Sequence, residues 1–317
     1  MHEFELIQRF FSTGSVRRDD VRLGIGDDAA ILRVPEGREL AVSVDSLVSG
    51  VHFPAELAAD SVGHRALAVN LSDLAAMGAQ PAWALLALTV PENNEHWLED
   101  FTRGFFALAK RFGVALIGGN LAHGPLNVSV TVHGFIPAGQ ALTRKGARPE
   151  DQIFVSGCLG DAAAGLEKLQ AGADAHDQDQ CVRRFGFPEP RIAAGLALRG
   201  IASAMIDISD GLAADLGHIL ETSGVGARID VERLPLSPSL LKQCSREQAQ
   251  TMALSGGDDY ELCFSVPPER LALLESRKAK LGCAVTPIGE VTPAGSLRIT
   301  GQDGSDWPLN RTGYQHF

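Results

Sequence analysis

Aspartate residues occur in five small or apolar segments that contain no lysine or arginine. These segments are 24–32, 42–53, 66–81, 204–217 and 253–264, and they carry Asp27, Asp28, Asp45, Asp73, Asp207, Asp210, Asp215, Asp258 and Asp259. A carboxylate in apolar, glycine-rich sequence is costly to desolvate and acquires a partner, either a cation from elsewhere in the fold or a metal ion. Several such carboxylates together favour Mg²⁺, which prefers oxygen ligands and bridges carboxylates to substrate phosphates.

Each aspartate taken alone also fits an ordinary structural role. Asp210 before Gly211-Leu212 and Asp161 after Gly160 are suited to begin a helix. Asp45 and Asp207 fit that role less well because they follow β-like runs, and α/β proteins form their sites at strand ends. For any single aspartate both interpretations stay open, and it is the set that favours a metal site.

Phosphate-binding residues are less clearly marked. The sequence has no G-x-x-x-x-G-K-[ST] loop, no H-R-D or D-F-G set and no G-x-G-x-x-G after a strand, so the common nucleotide-binding folds are disfavoured. The run Gly118-Gly119-Asn120 could present backbone N–H groups to a phosphate, and Arg144 could neutralise one. His52 and His133 fit either a ligand role or a structural hydrogen bond.

Composition bounds the class of protein. The 317 residues are 45% hydrophobic and 21% charged, which is enough for a substantial core and predicts two domains. A net charge of -11 argues against nucleic-acid binding. We expect no membrane segment and no signal peptide, and therefore a cytoplasmic protein. The five cysteines form no C-x-x-C pair and are expected to be reduced thiols.

Hydrophobic periodicity predicts alternating helices and strands in both domains. The clearest helix contains Trp97, Phe101, Phe105 and Leu108 at helical spacing and ends at Gly113. A short strand 114–117 is expected to end at Gly118-Gly119, and the polar stretch 172–188 is expected to be a surface loop. The boundary near Pro137 predicts domains 1–137 and 138–317.

Several motifs together resemble the bacterial thiamine-monophosphate kinases, in the superfamily of aminoimidazole ribonucleotide synthetase. The resemblance spans nearly the whole chain and is carried by Gly24-Ile25-Gly26-Asp27-Asp28, Val44-Asp45-Ser46, Asn70-Leu71-Ser72-Asp73, Gly118-Gly119-Asn120, Thr143-Arg144, Asp207-Ile208-Ser209-Asp210-Gly211, Ser255-Gly256-Gly257-Asp258-Asp259-Tyr260-Glu261 and Gly313-Tyr314.

The resemblance implies roles for particular residues. Several Mg²⁺ ions would be held by Asp27, Ser43, Asp45, Asp73, Asn120, Asp207 and Asp210. ATP, as co-substrate, would be contacted by Gly119, Asn120, Arg144 and Ser209, and thiamine monophosphate by His52, Asp258 and Tyr314. Two positions depart from the family pattern: Asn120 stands where many members have Asp, and Asp258 where many have Glu. Asn keeps a carbonyl ligand but lacks the charge that Asp would bring to a metal site.

The fold implied by the resemblance is a two-domain α/β (α+β) structure like that of aminoimidazole ribonucleotide synthetase. The N-terminal domain would bind metal and nucleotide, its sheet would pair with that of a second subunit in a homodimer, and the C-terminal domain would complete the active site. The activity implied is ATP- and Mg²⁺-dependent phosphorylation of thiamine monophosphate to thiamine diphosphate. Its acceptor phosphate is already ionised, so we expect no general base.

Related enzymes and a non-enzymatic module remain as alternatives. Selenophosphate synthetase needs a reactive Cys or selenocysteine in an N-terminal glycine-rich segment, whereas the first cysteine here is Cys158. A hydrogenase-maturation protein of this superfamily is expected to end in Cys, and the last residue here is Phe317. Aminoimidazole ribonucleotide synthetase is the closest enzymatic rival. A silent Mg-nucleotide-binding module would bind nucleotide without releasing ADP.

Overall fold

The computed structural model describes residues 3–293, 295–301, 304–308 and 313–314. These residues divide into two units: unit 1 is Met1–Leu74 with Ala79–Gly139, and unit 2 is Ala75–Gly78 with Gln140–Phe317. Among the described residues, no helix combines the length and the apolar character needed to cross a membrane.

Unit 1 is built on a four-stranded sheet with two long helices. Its elements are α1 (Glu3–Leu6, continued by a π-helical turn Ile7–Ser12), β1 (Val21–Leu23), β2 (Ile31–Leu32), β3 (Arg38–Val48), α2 (Ala59–Ala76), β4 (Gln80–Val90), α3 (Glu95–Phe112), β5 (Ala115–His123) and β6 (Asn127–Pro137). The strand order is β3-β6-β4-β5, with β4 and β5 parallel and the other pairs antiparallel. Strands β1 and β2 form a separate antiparallel pair.

Helix α3 shows why the strongest sequence pattern was reliable. The side chain of Asn94 accepts a hydrogen bond from Trp97 N at its start, and Gly113 ends it with a left-handed φ of 66°. Phe101 and Phe105 are buried on one face, so the predicted aromatic stripe is core.

Alternation along β3 and β6 gives the sheet two different faces. Ser43 and Asp45 pair with Val132 and Val130, which are fully buried. The residue between them, Val44, pairs with Thr131 and is 59% exposed. Because paired residues of an antiparallel ladder share a face, Ser43 and the exposed Asp45 lie on the face that carries Val130 and Val132, and Val44 lies on the opposite, open face.

Unit 2 is built on a six-stranded sheet and seven helices among the described residues. Its elements are β7 (Gln152–Ser156), α4 (Asp161–Gln170), α5 (Gln180–Gly186), α6 (Ile192–Leu198), β8 (Ala204–Ile208), α7 (Leu212–Ser223), β9 (Gly226–Asp230), α8 (Pro238–Leu241), α9 (Arg246–Ser255), β10 (Glu261–Val266), α10 (Leu271–Arg277), β11 (Val285–Thr292) and β12 (Leu297–Thr300). The order β12-β9-β11-β7-β10-β8 is antiparallel except for the β12–β9 pair. A core cluster of unit 2 packs this sheet with α7 and includes Ile206, Leu216 and Ile229.

Two sequence expectations about elements are wrong. Strand β5 does not end at Gly118-Gly119 but continues to His123, beside β4. The stretch 172–188 is not all loop, because it contains α5. Asp179 begins that helix by accepting hydrogen bonds from Cys181 N and Val182 N, and Phe185 is buried on it.

Candidate functional site

In unit 1, the neighbouring elements β3 and α2 bring candidate metal ligands together. Ser43 Oγ donates a hydrogen bond to Asp73 Oδ2 at 2.5 Å. Two residues along the strand, Asp45 N donates to Asn70 Oδ1 at 2.9 Å. The spacings match: residues 43 and 45 share one face of a strand, and residues 70 and 73 share one face of a helix. Strand β3 therefore meets α2 through the side chain of Ser43 and the backbone N–H of Asp45.

Asp27 lies on the exposed turn that joins β1 to β2. Its side chain accepts a hydrogen bond from Asp28 N at 2.9 Å. The base of this turn is held by Asp20, which accepts hydrogen bonds from Arg18 and from Trp83 Nε1 on the sheet. Burial opposes ionisation of Asp20, but its bonds to Arg18 and Trp83 outweigh burial and lower its pKa. The turn that carries Asp27 thus starts from a fixed position.

The other candidates of unit 1 lie in β5 and after β3. Gly119 and Asn120 are neighbours in β5, one of the two edge strands of the sheet, where Asn120 pairs with Ala87. His52 lies in the turn after β3, and its Nδ1 accepts a hydrogen bond from Val48 N at 3.0 Å. With Nδ1 engaged as an acceptor, Nε2 carries the proton in the neutral ring.

In unit 2, Asp215 organises the loop between β8 and α7. Its Oδ2 accepts hydrogen bonds from the N–H groups of Ser209, Asp210 and Gly211 at 3.0, 3.1 and 3.1 Å. Burial and the charge of Asp210 raise the pKa of Asp215 to about 7, although these three N–H groups oppose the shift. Asp207, the fourth residue of β8, is buried just before this loop.

The same loop meets two further candidates from distant parts of the sequence. Asp258 N donates to Ser209 O at 2.8 Å, and Tyr314 N donates to Asp210 O at 3.0 Å. Tyr314 is 41% exposed and Asp258 is half-buried. The structure of unit 2 therefore brings together Ser209, Asp210, Asp258 and Tyr314, as one group of predicted ATP, metal and acceptor residues.

Arg144 lies elsewhere in unit 2. It belongs to an exposed segment whose Thr143 O accepts a hydrogen bond from Met205 N, near the start of β8. Ser223 Oγ, at the end of α7, donates to Arg144 O at 3.3 Å. Asp207 and Ser209 lie at the other end of β8, so this strand separates Arg144 from the loop.

The donor chemistry of these residues fits Mg²⁺. The side chains of Ser43, Asp45 and Asp73 offer only oxygen atoms, and a hydrogen bond between β3 and α2 joins Ser43 to Asp73. Within the described ranges, no group of three or more His, Cys, Asp or Glu side chains is placed to hold a metal ion. Mg²⁺ commonly uses one or two carboxylates and completes its shell with water and substrate phosphates, so these donors remain suitable.

Sequence reasoning did not assign Asn70 or Asp215 to the site. Asn70 was identifiable in principle because it precedes Asp73 by three residues on one predicted helix. Asp215 stood among the aspartates of the segments without lysine or arginine, but its role in the loop had no signal, because a carboxylate that binds backbone N–H groups has the same sequence context as one that binds a metal.

Comparisons with known proteins give a consistent result. The family described as AIR synthase related protein matches with its N-terminal domain at residues 26–136 and with its C-terminal domain at residues 148–302. The chain is 48% identical over 318 residues to thiamine-monophosphate kinase of Escherichia coli strain K12, and the match covers 99% of this chain and 98% of that protein.

Two solved structures are also similar. The thiamine-monophosphate kinase from Stenotrophomonas maltophilia K279a has a TM-score of 0.88 and 45% identity, and the match covers 97% of this chain and 98% of that one. A structure described as AaThiL complexed with AMPPCP and TMP has a TM-score of 0.79 and 33% identity, with 90% and 89% of the two chains covered.

Proposed function

The chain belongs to the thiamine-monophosphate kinases within the AIR synthase related proteins, and we propose that it uses ATP to phosphorylate thiamine monophosphate to thiamine diphosphate. The observation that carries this assignment is the 48% identity to a thiamine-monophosphate kinase across nearly the whole of both chains. A relative with 33% identity is described as complexed with AMPPCP and TMP, which agrees with these two substrates. We propose the cytoplasm as its compartment, as the sequence predicts.

The reaction is a direct transfer between two phosphates. A phosphate oxygen of thiamine monophosphate forms a bond to the γ-phosphorus of ATP while the bond from that phosphorus to the β–γ bridging oxygen breaks, and ADP leaves. The attacking oxygen is already ionised at neutral pH, so no side chain has to remove a proton. What the chain must supply is orientation and compensation of negative charge.

The predicted substrate contacts divide between acceptor and nucleotide. We propose that Asp258, Tyr314 and His52 orient thiamine monophosphate. The contact of Asp258 and Tyr314 with one loop of unit 2 supports a shared role for these two. For ATP we propose Ser209, in that same loop, together with Gly119, Asn120 and Arg144.

We propose that Mg²⁺ ions bind in both units. In unit 1 the donors would be Asp27, Ser43, Asp45, Asp73 and Asn120, and in unit 2 Asp207 and Asp210. The Ser43–Asp73 bond and the oxygen-only donor set support this assignment. When bound, Mg²⁺ neutralises charge on the phosphate oxygens during transfer.

We also propose that the protein is a homodimer that pairs through the open face of the unit 1 sheet. On that face Val42 and Val44 of β3 are 56% and 59% exposed. An exposed apolar strand of this kind favours a partner surface. In this proposal 1–137 is the metal, nucleotide and dimer domain, and 138–317 supplies the remaining site residues.

An ADP-release assay tests the activity directly. Thiamine monophosphate should support ATP-dependent ADP release and yield thiamine diphosphate, whereas free thiamine, which lacks the acceptor phosphate, should be a poor substrate. Aminoimidazole precursors serve as controls for the ribonucleotide synthetase activity. Equal turnover with free thiamine would contradict the acceptor assignment, and nucleotide binding without ADP release would favour a silent module.

A further inference from the structure

The segment that leads into β10 contains two residues with a left-handed backbone. Asp258 has φ 61° and Tyr260 has φ 50°. Such a conformation costs about 1–2 kcal/mol for a residue with a Cβ atom, and aspartate tolerates it better than an aromatic residue does. Glycine would make the same turn without this cost. The side chains at these positions must therefore contribute something that glycine lacks, and strain of this kind is typical of functional sites.

Asp259, between these two residues, is a buried anchor. Gly160 immediately precedes the first residue of α4, and its backbone N–H donates to both carboxylate oxygens of Asp259 at 3.0 Å. Burial raises the pKa of the Asp259 carboxyl well above its ordinary value, against the opposing effect of this N–H group. The side chain thus fastens the turn to the start of α4.

Glu261, on the other side of Tyr260, is a second anchor and is 1% exposed. Arg191 binds both of its oxygens, with 2.6 Å between Nε and Oε2. Ser156 donates to Oε2, and Arg184 lies 3.4 Å from Oε1. A buried, bidentate ion pair with additional donors leaves little freedom to the residue that carries it.

Backbone hydrogen bonds fix the two strained residues from the side of β8. Asp258 N donates to Ser209 O, and Tyr260 N donates to Ile208 O, both at 2.8 Å. With the backbone held in this way, the buried Tyr260 donates its phenolic O–H to Asp258 Oδ1 at 3.1 Å. Asp258 is the least buried of the four side chains from 258 to 261.

We propose that Asp259, Tyr260 and Glu261 are positioning residues, which hold a strained turn so that the Asp258 carboxylate meets the acceptor substrate in one fixed direction. The inference rests on the proposed function, in which Asp258 contacts thiamine monophosphate. Thiamine has a cationic ring and an amino group, and a carboxylate can bind either. Fixing the carboxylate beforehand lowers the entropy lost when the acceptor binds.

Tyr260→Phe is the most direct test, because it keeps the ring, its burial and the backbone strain and removes only the bond to Asp258. We expect the KM for thiamine monophosphate to rise about fivefold or more, since a hydrogen bond to a charged group is lost. The KM for ATP and kcat should change less than about twofold. Calorimetric titration with thiamine monophosphate should show the same loss of affinity. An unchanged acceptor KM and affinity would overturn the proposal.

Substitutions at Asp258 separate strain from charge. Asp258→Asn tolerates the left-handed backbone and still accepts from Tyr260, but it lacks the charge. Asp258→Gly relieves the strain and loses the side chain. We expect the glycine variant to melt at the wild-type temperature or above and to bind the acceptor more weakly than the asparagine variant. A glycine variant with wild-type acceptor affinity would contradict the inference, because the strained carboxylate would then serve no ligand.

Asp259 offers a rescue experiment. Asp259→Ala removes the acceptor for Gly160 N–H and should raise the acceptor KM, whereas Asp259→Asn keeps one acceptor oxygen and should recover most of that loss. If the alanine variant fails to fold, Tyr260→Phe still decides the question. Asp174→Asn, at an exposed position away from this turn, is the matched control. If wild-type protein releases no ADP with thiamine monophosphate, the proposed function fails; if it does and Tyr260→Phe behaves like wild type, only the positioning role fails.

Discussion

At the scale of single residues, the aspartates differ in what their oxygens already bind. Asp215 and Asp259 accept backbone N–H groups at the start of a helix, so the protein itself uses those oxygens. Asp73 instead meets a serine hydroxyl, which a ligand could displace or share. Carboxylates of the first kind hold loops in place, and those of the second kind are suited to bind a cation.

We expect Asp45→Asn, Asp73→Asn and Asp207→Asn each to reduce kcat by about 10²–10³-fold, because each change deletes a charge that acts on the transferring phosphoryl group through bound Mg²⁺. Steady-state ADP release measures the loss. Asp174→Asn and Asp177→Asn are the controls: both side chains are exposed and accept backbone N–H groups two residues further on, so activity should stay near wild type. Equal losses in both sets would contradict the metal assignment.

Sequence reasoning could not separate the aspartates that hold loops in place from those suited to bind a cation. Asp73 and Asp215 both lie in apolar segments without lysine or arginine, and only the fold shows that Asp215 faces backbone donors. The approach of Asp258 and Tyr314 to the Ser209–Asp210 loop was predicted only as far as the family resemblance implied it. About 50 residues separate Ser209 from Asp258, and about 100 separate Asp210 from Tyr314. These separations predict neither the hydrogen bonds between the residues nor the left-handed backbone at Asp258.

At the scale of secondary structure, the close contact of β4 and β5 depends on Gly119. A Cβ atom there would lie 1.8 Å from Leu86 O, and the glycine φ is 153°. Gly119→Ala must displace backbone, so we expect it to lower the free energy of unfolding by more than about 2 kcal/mol. Gly139→Ala is the control, because φ is 72° but no atom lies within 4 Å; strain alone should cost about 1 kcal/mol. Urea unfolding compares the two, and equal losses would show that the close contact is unimportant.

The same glycine explains an error in the sequence interpretation. Glycine usually interrupts a strand, so 114–117 was expected to stop at Gly118-Gly119, but close approach to Leu86 allows β5 to continue. Strand β4 is hard to predict because Gln80–Val90 is apolar on both faces and lacks the alternation that marks a half-buried strand. Helix α3 was predicted correctly because its apolar positions recur over five turns and both ends have capping residues.

At the scale of the whole molecule, the open face of the unit 1 sheet predicts the oligomeric state. We expect wild-type protein to be a dimer by light scattering after size exclusion, and Val44→Asp to be a monomer, because a charge would replace an apolar side chain in the interface. Leu273→Asp is the matched control, since Leu273 is 39% exposed on α10 in unit 2. A wild-type monomer, or a dimer that survives Val44→Asp, would count against this face as the interface.

The proposed Mg²⁺ sites also predict how stability responds to metal. If the carboxylates bind Mg²⁺ in the folded state only, Mg²⁺ at about 100 times its dissociation constant should stabilise the fold by roughly 2.7 kcal/mol per site, and ATP with Mg²⁺ should stabilise it further. Asp73 is the most informative position, because its structural context predicts the effect of mutation without metal. It lies in the last turn of α2, where a negative charge opposes the helix dipole and a capping role at the helix start is impossible.

Asp73→Asn should therefore leave the metal-free protein as stable as wild type or slightly more stable, since Asn removes the unfavourable charge and its amide oxygen can still accept from Ser43 Oγ. The Mg²⁺-induced rise in melting temperature should shrink, because one metal ligand has lost its charge. Thermal melts of both proteins in EDTA and in Mg²⁺ measure the two effects separately. A purely structural role for Asp73 predicts the reverse, a loss of stability in EDTA with an undiminished response to Mg²⁺, and that result would remove Asp73 from the metal site.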